Sequence, residues 1–179
     1  FGRDSANLMA IVSRSQLSLE GKVQADGWRF PADFHVTCCY LNRDEDKADE
    51  SEIYQDFEEN VAVDIQIDAF VIVPDKIITG ICFPDQNIQQ IENPCPHVTL
   101  ALNEWEPQQS NVLLEKNASK IIGFLLELLG LKRDQNVKEG KEILQISNLV
   151  YRKNSPAVAA YFVTLDEPII LEGTTAKKD

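Results

Sequence analysis

The stretch that decides the fold is Pro96-His97-Val98-Thr99-Leu100-Ala101-Leu102, and Phe34-His35-Val36-Thr37-Cys38-Cys39-Tyr40 repeats its pattern upstream. These segments hold the only two histidines of the 179 residues, and each histidine is followed two positions later by threonine. Both segments read as buried strands, in which side chains i and i+2 share a face. We therefore predict one shared face in each segment, formed by His35, Thr37 and Cys39 in the first and by His97, Thr99 and Ala101 in the second.

The repeated histidine-threonine spacing is improbable by chance. The chain has six threonines, so two histidines would both have threonine at this position about once in a thousand sequences of this composition. An isolated motif of this kind usually marks a packed core histidine, whereas a matched pair favours a functional site. An imidazole beside a hydroxyl offers a proton donor or acceptor and a neutral hydrogen-bonding group. Two such units that face each other would supply a general acid and a general base around a phosphate.

The formal net charge of −12 is unevenly distributed. Residues 44–68 contain eleven acidic residues against Lys47, so this segment carries −10 of the net charge. Such a run is typical of a solvated surface, and the chain lacks the basic stripe that grips long nucleic acid. A small phosphorylated ligand, or the end of a nucleic-acid strand, suits this composition better than a long polyanion.

The length predicts a single domain over residues 1–179, with a core at about 7–171 and a flexible tail at 172–179. No apolar run is long enough to span a bilayer, since Ile121–Leu131 is interrupted by glycine and glutamate. The first residue is Phe1, which leads us to expect an excised or processed domain. The four cysteines show no metal-binding spacing and no disulfide framework, so we expect a reduced, cytoplasmic setting and no zinc.

Hydrophobic periodicity predicts an α+β fold. Val61 to Val73 alternates, with Ile65, Ile67, Ala69 and Val71 on one predicted face and Phe70 and Ile72 on the other. The other predicted strands are Asn7–Val12, Ile77–Phe83, Ile143–Tyr151 and Ala157–Leu165, and the predicted helices are Asp49–Asn60 and Ser110–Leu129. The second helix has a candidate restart at Asn117 or Ser119 and a predicted end at Gly130.

The doubled motif resembles the two-histidine (2H) phosphoesterase superfamily, whose members carry two H-x-[ST] motifs. The chain looks closest to the catalytic domain of 2′,3′-cyclic nucleotide 3′-phosphodiesterases and to the phosphodiesterase domain of eukaryotic tRNA ligases. The supporting features are the strand 64–76 after the first motif, the sequence Pro96-His97-Val98-Thr99-Leu100, and the helix and closing hairpin that follow. The resemblance covers roughly residues 7–171.

The resemblance implies a bilobal fold with two antiparallel β-sheets related by pseudo-twofold symmetry, helices outside, and both motif strands lining a central cleft. It implies hydrolysis of a 2′,3′-cyclic phosphate, on a nucleotide or an RNA 3′-end, to a 2′-phosphate without metal or cofactor. It assigns water activation to His97 and protonation of the leaving oxygen to His35, although the residues alone leave the reverse assignment open. Thr37 and Thr99 would bind the non-bridging oxygens.

Other residues are candidates for substrate contact. Phe70, Tyr161 and Phe162 are candidate stacking surfaces for a base, and Arg43 is a candidate phosphate contact. We further expect that the chain is a monomer, that it has no segment in direct contact with a membrane, and that it binds no metal. Two alternatives stay open, namely another 2H activity, such as cleavage of 2′-5′ linkages or of an ADP-ribose cyclic phosphate, and a non-catalytic module that binds phosphate or RNA ends.

Overall fold

The computed structural model describes residues 27–32, 34–38, 57–83, 91–134 and 144–176. Within these ranges the chain is an α+β protein with one antiparallel sheet and two helices, which confirms the predicted α+β class. The elements are β1 (Ala62–Val73), β2 (Ile77–Phe83), β3 (His97–Leu102), α1 (Pro107–Lys116), α2 (Ala118–Asp134), β4 (Leu144–Leu149) and β5 (Val158–Thr174). The five strands lie in the order β3-β2-β1-β5-β4, so the second histidine motif forms the strand at one end.

Two clusters of buried apolar side chains cover the two faces of this sheet. In β2, Ile77 and Ile81 belong to one cluster and Ile78 and Cys82 to the other, because successive side chains of a strand point to opposite faces. The helix-side cluster includes Val71, Ile81, Phe162, Leu113, Ile121 and Leu125, and the opposite-face cluster includes Phe34, Ile67, Phe70, Ile78, Val98 and Leu100.

The β1–β2 hairpin is where the sequence predicts it. Lys76 donates its backbone N–H to the carbonyl of Val73 at 3.1 Å and closes the turn. Asp75 takes a positive φ of 57°, a conformation that aspartate adopts more readily than most residues. The predicted strands over Val61–Val73 and Ile77–Phe83 are confirmed.

A bulge at Asp68 corrects the predicted faces of β1. The register with both neighbouring strands shifts between Ile67 and Ala69. One extra residue reverses the alternation downstream of it. As a result, Ile65 and Ile67 share the opposite-face cluster with Phe70 and Ile72, whereas Ala69, Val71 and Val73 belong to the helix-side cluster. The prediction of a single unbroken alternation from Val61 to Val73 is therefore wrong.

A second bulge corrects the predicted face of β3. Ile78 pairs with Ala101 and Thr79 pairs with Thr99, so Leu100 is the extra residue. Ala101 packs in the opposite-face cluster, and the prediction that it shares a face with His97 and Thr99 is wrong. The bulge leaves the two functional candidates on the helix side of the sheet.

Strand β5 continues well beyond its predicted end at Leu165. Residues Ile169 to Thr174 pair with β1, and Thr175 exchanges backbone hydrogen bonds with Asn60 and Val61 at 2.9 and 3.0 Å. The prediction that a flexible tail begins at 172 is wrong, because Glu172, Gly173 and Thr174 pair with β1 and satisfy backbone groups of that strand.

The helices differ from the prediction at both ends. Helix α1 begins at Pro107 rather than Ser110, since proline suits the first helical position and Glu106 and Gln109 form a reciprocal capping box. The predicted interruption at Asn117 is present: its side-chain amide donates to the carbonyls of Leu113 and Val150. Helix α2 passes through Gly130 to Asp134, because Gly130 does not take the positive φ that would end a helix.

Several predicted features lie outside the described residues, namely the strand Asn7–Val12, Arg43 and most of the helix Asp49–Asn60. The described end of that helix, residues 57–60, is not helical, and Asn60 takes a positive φ of 61° in a turn. None of the described helices is long and apolar enough to cross a bilayer.

Gly80 provides a test of the packing between β1, β2 and β3. A Cβ atom at this position would lie 2.9 Å from Cδ1 and Cγ2 of Ile67 and 3.2 Å from Cγ1 of Val98. We expect Gly80→Ala to lower the free energy of unfolding by about 1–3 kcal/mol, as overpacking does. In α2, a Cβ atom added at Gly123 would have no atom within 4 Å outside its own helix backbone and chain neighbours. Gly123→Ala should therefore raise stability by about 0.5–1 kcal/mol in the same urea titration; equal effects of the two variants would contradict the described packing.

Candidate active site

The segment that contains the first histidine motif pairs with β3 at two points, one before the motif and one within it. Arg29 and Leu102 exchange backbone hydrogen bonds of 2.8 Å in each direction, and Val36 forms an isolated antiparallel bridge with Val98. The first segment has more residues between these points than β3 has, so it bulges away from the strand in between. The predicted strand at the first motif is therefore reduced, within residues 34–38, to the bridge at Val36.

The bridge sets which side chains share a face. Residues opposite each other in an antiparallel pair point to the same side. Phe34 and Val36 pack on the opposite-face cluster together with Val98. Alternation on either side of this bridge predicts that His35 faces the helix side across from Thr99, and that Thr37 does so across from His97. The electrostatic effect of His35 on His97 agrees with this prediction.

The ring of His97 is buried and held in one tautomer. Its Nδ1 lies 2.8 Å from the carbonyl oxygen of Cys95. Because a carbonyl only accepts, Nδ1 carries the hydrogen, and Nε2 is the nitrogen that takes up or releases a proton. Nε2 lies 3.3 Å from Oγ of Ser110 on α1.

Burial determines the charge of this ring. Only 4% of His97 is exposed, and this desolvation lowers the pKa of His97 below its ordinary value. Hydrogen bonds with the Cys95 carbonyl and the Asn111 side chain raise the pKa in part, and the charge of His35 lowers it further. The two rings are therefore within electrostatic reach of each other, and His97 is neutral at physiological pH. His35, in contrast, lies exposed.

Asn93 joins the first motif to the loop before the second. Its Nδ2 donates to the carbonyl of Thr37 and its backbone N–H donates to the carbonyl of Cys38, both at 3.0 Å. Its Oδ1 accepts the backbone N–H of Cys95 at 3.0 Å, and the carbonyl of Cys95 holds the ring of His97. One buried amide thus connects the backbone beside Thr37 to the residue that orients His97.

Ser110 is a second residue that the sequence does not single out. It is buried on the first turn of α1, and its Oγ lies 3.3 Å from both Nε2 of His97 and Oγ1 of Thr99. Neither Ser110 nor Asn93 belongs to a recognisable motif. Their positions depend on how α1 crosses β3 and how the loop before β3 folds back, and side-chain periodicity carries no information about either.

The three aromatic residues proposed to stack on a base are core residues. Phe70 and Tyr161 lie in the opposite-face cluster, away from the histidines. Phe162 shares the helix-side face but is fully buried against Phe124, with ring centroids 4.8 Å apart. Phe162 lies on β5 and Thr99 on β3, three positions apart in the strand order. At about 4.8 Å between neighbouring strands, this separates the two residues by about 14 Å. The predicted stacking role of these residues is wrong, and the predicted phosphate contact Arg43 lies outside the described residues.

The cysteines near the motifs are free thiols in the described part of the chain. Burial raises the pKa of Cys95 to about 12 and also raises the pKa of Cys82. Thiols with such pKa values stay protonated and are poor nucleophiles. Among the described residues, no three histidine, cysteine or carboxylate side chains are grouped as a metal site.

No protein-family model matches this sequence, and no curated protein is significantly similar to it.

Asn93 provides a test of the connection between the motifs. Asn93→Ala removes the bond to the Thr37 carbonyl and leaves the buried N–H of Cys95 without its acceptor. We expect a loss of about 2–4 kcal/mol in the free energy of unfolding, measured with urea. Amide exchange of Val36 should accelerate, since the bridge to Val98 loses its support. Asn148→Ala, at an exposed position of β4, is the matched control; a similar cost for both variants would contradict the role of Asn93.

The lowered pKa of His97 predicts a pH dependence of stability. The unfolded residue titrates near its ordinary value of about 6.5, and the folded residue titrates lower, so protonation favours the unfolded chain. Stability should be complete above about pH 6.5 and fall as the pH drops from there towards the folded pKa. Thermal unfolding of the wild type should thus show a decrease in Tm between about pH 7.5 and 5.5 that is smaller in His97→Gln. His35→Gln is the control that retains the decrease, and identical profiles for wild type and His97→Gln would disprove the assignment.

Proposed function

We propose that this chain is a metal-independent phosphodiesterase that hydrolyses the 2′,3′-cyclic phosphate of a nucleotide or an RNA 3′-end to a 2′-phosphate. The observation that carries the proposal is the antiparallel contact between Val36 and Val98. Strand alternation on either side of this contact would direct two imidazoles and two hydroxyls to one face of the sheet. A phosphoryl group bound there would meet a proton acceptor, a proton donor and two neutral hydrogen-bonding groups.

His97 is the proposed general base. Its lowered pKa keeps the ring neutral, and the bond from Nδ1 to the Cys95 carbonyl leaves Nε2 as the proton acceptor. In the proposed reaction, the oxygen of a water molecule forms a bond to phosphorus while the bond from phosphorus to O3′ breaks. The water proton passes to Nε2 of His97. This assignment agrees with the role that the family resemblance implies.

His35 is the proposed general acid. An exposed imidazole bears a positive charge at a lower free-energy cost than a buried one, because water solvates the charge. In the proposal it donates its proton to O3′ as that oxygen leaves, and exchange with solvent restores both rings. Thr37 and Thr99 hydrogen-bond the non-bridging oxygens and hold the phosphorus between the imidazoles.

The proposal includes the finer architecture that the resemblance implies. We propose that residues 1–179 form a single bilobal domain of the 2H type, with a second sheet related to the first by pseudo-twofold symmetry. The proposed state is a cytoplasmic monomer. The two imidazoles can supply both proton transfers, so neither a metal nor a cofactor is part of the proposed reaction.

One assay separates this function from the alternatives. The purified chain is incubated in EDTA with 2′,3′-cyclic nucleotides, with 2′-5′-linked oligonucleotides and with an ADP-ribose cyclic phosphate, and the products are resolved by chromatography. The proposal expects the 2′-monophosphate from the first substrate. Turnover of only the other esters would indicate a different 2H activity. Binding of cyclic nucleotides without turnover would indicate a non-catalytic module.

Replacement of either histidine should abolish most of the activity. We expect His97→Ala and His35→Ala each to lower kcat by about 10²–10⁴-fold, the usual contribution of a general acid or base. Because His35 lies exposed, His35→Ala should retain wild-type stability in urea, so its loss of rate cannot be ascribed to unfolding. Lys153→Ala, at an exposed hairpin position, is the surface control. Retention of more than a tenth of the wild-type rate in both histidine variants would contradict the mechanism.

A further inference from the structure

The hydroxyl of Ser110 lies between the two chemical groups of the second motif. It is 1% exposed, and α1 holds it over β3. Its Oγ lies 2.6 Å from the carbonyl of Pro107, one helical turn earlier. The same oxygen lies 3.3 Å from Nε2 of His97 and 3.3 Å from Oγ1 of Thr99. A single buried hydroxyl thus contacts both the imidazole and the hydroxyl of the motif.

The hydrogens determine what this serine can do. A hydroxyl has one hydrogen and two lone pairs, and the shortest contact, to the Pro107 carbonyl, requires that hydrogen. The lone pairs of Oγ are then directed to donors. Thr99 can donate its hydroxyl hydrogen, and His97 can donate from Nε2 only after Nε2 has gained a proton. The arrangement therefore stabilises the imidazolium form of His97 over the neutral form.

We propose that Ser110 is a positioning residue that accepts the Nε2 proton of His97 in a hydrogen bond and orients the hydroxyl of Thr99. Nε2 has a single in-plane hydrogen-bonding direction, so the bond to Ser110 and the uptake of a proton from water are alternative states of the ring. Ser110 therefore acts on catalysis through the pKa of His97, because it stabilises the protonated ring, and does not contact the proton during its transfer. Ser110 thus opposes the effect of burial, which would otherwise make His97 a weak base. The catalytic part of this inference rests on the proposed function, whereas the hydrogen bond does not.

Several other groups around the His97 ring also act on its charge. His35 is the titratable group that faces His97 from the first motif, and its charge disfavours the imidazolium. The Cys95 carbonyl, from the loop before β3, and the Asn111 side chain, on α1, favour it. From β2, the residue paired with His97 is Ile81, which is apolar. A change confined to Ser110 leaves each of these groups in place.

The test is an NMR titration of the two histidine rings in the full chain. We expect Ser110→Ala to move the titration midpoint of His97 to lower pH while His35 is unaffected. Ser110→Thr, which keeps the hydroxyl, should restore the midpoint, and Ser119→Ala, at an exposed position of α2, should not change it. An unchanged or raised midpoint in Ser110→Ala overturns the proposal.

Two further measurements complete the test. In the wild type below the midpoint, the Nε2 hydrogen should exchange slowly with water and show a nuclear Overhauser effect to the β-hydrogens of Ser110; rapid exchange without this effect overturns the proposal even if Ser110→Ala does not fold. In the cyclic-phosphate assay, Ser110→Ala should lower kcat about 3- to 10-fold and shift the acid limb of the pH–rate profile to lower pH. A shifted ring titration in a chain that hydrolyses no cyclic phosphate would refute the proposed function and leave the hydrogen bond standing.

Discussion

The pairing of Val36 with Val98 is the contact on which the candidate site depends. Two short segments, 62 positions apart at their histidines, come together there, and strand alternation then determines the direction of every neighbouring side chain. A slip of one residue would send His35 and Thr37 into the opposite-face cluster and expose Phe34 and Val36. Burial of Phe34 and of Val98 therefore opposes such a slip. The hydrogen bonds of Asn93 secure the same register through the backbone.

The two motifs are alike in sequence but differ in environment, and this difference is the basis for the separate roles that we propose for the two histidines. His97 belongs to a regular strand beneath α1, where desolvation favours the neutral ring and a backbone carbonyl selects the tautomer. His35 belongs to an irregular segment and lies exposed. A neutral ring beside a ring that water can solvate is the combination that a base and an acid at one phosphate require. The residues alone left the assignment of base and acid open, and the buried environment of His97 favours it as the base.

Sequence periodicity predicted most of the framework. The β1–β2 hairpin, the strand of the second motif, the interruption at Asn117 and the α+β class all depend on local patterns of apolar and turn residues. The errors have identifiable causes. Each bulge, at Asp68 and at Leu100, inserts one residue that leaves no mark on the apolar pattern yet reverses the faces downstream. The early end assigned to β5 came from Asp166, Glu167 and Pro168, which the pairing with β1 skips before it resumes at Ile169.

The candidate site was predictable only as far as its repeated motif. His35, Thr37, His97 and Thr99 stand out because their spacing recurs, whereas Asn93 and Ser110 act through single hydrogen bonds across the fold. The aromatic candidates failed for a related reason: aromatic side chains in a sheet pack in its core unless the fold exposes them, and sequence pattern does not reveal which face remains open.

The most direct measurement of the central claim, that both imidazoles bind one phosphate, is a titration of the chain with a nucleoside 2′-monophosphate, followed by the ring resonances of the two histidines. With only two histidines in the sequence, single His→Gln variants assign both signals. Both rings should shift together along one binding curve with a single Kd, and either His→Gln variant should weaken the response of the other ring. Movement of one ring alone, or two curves with different Kd values, would show that the histidines do not share a phosphate.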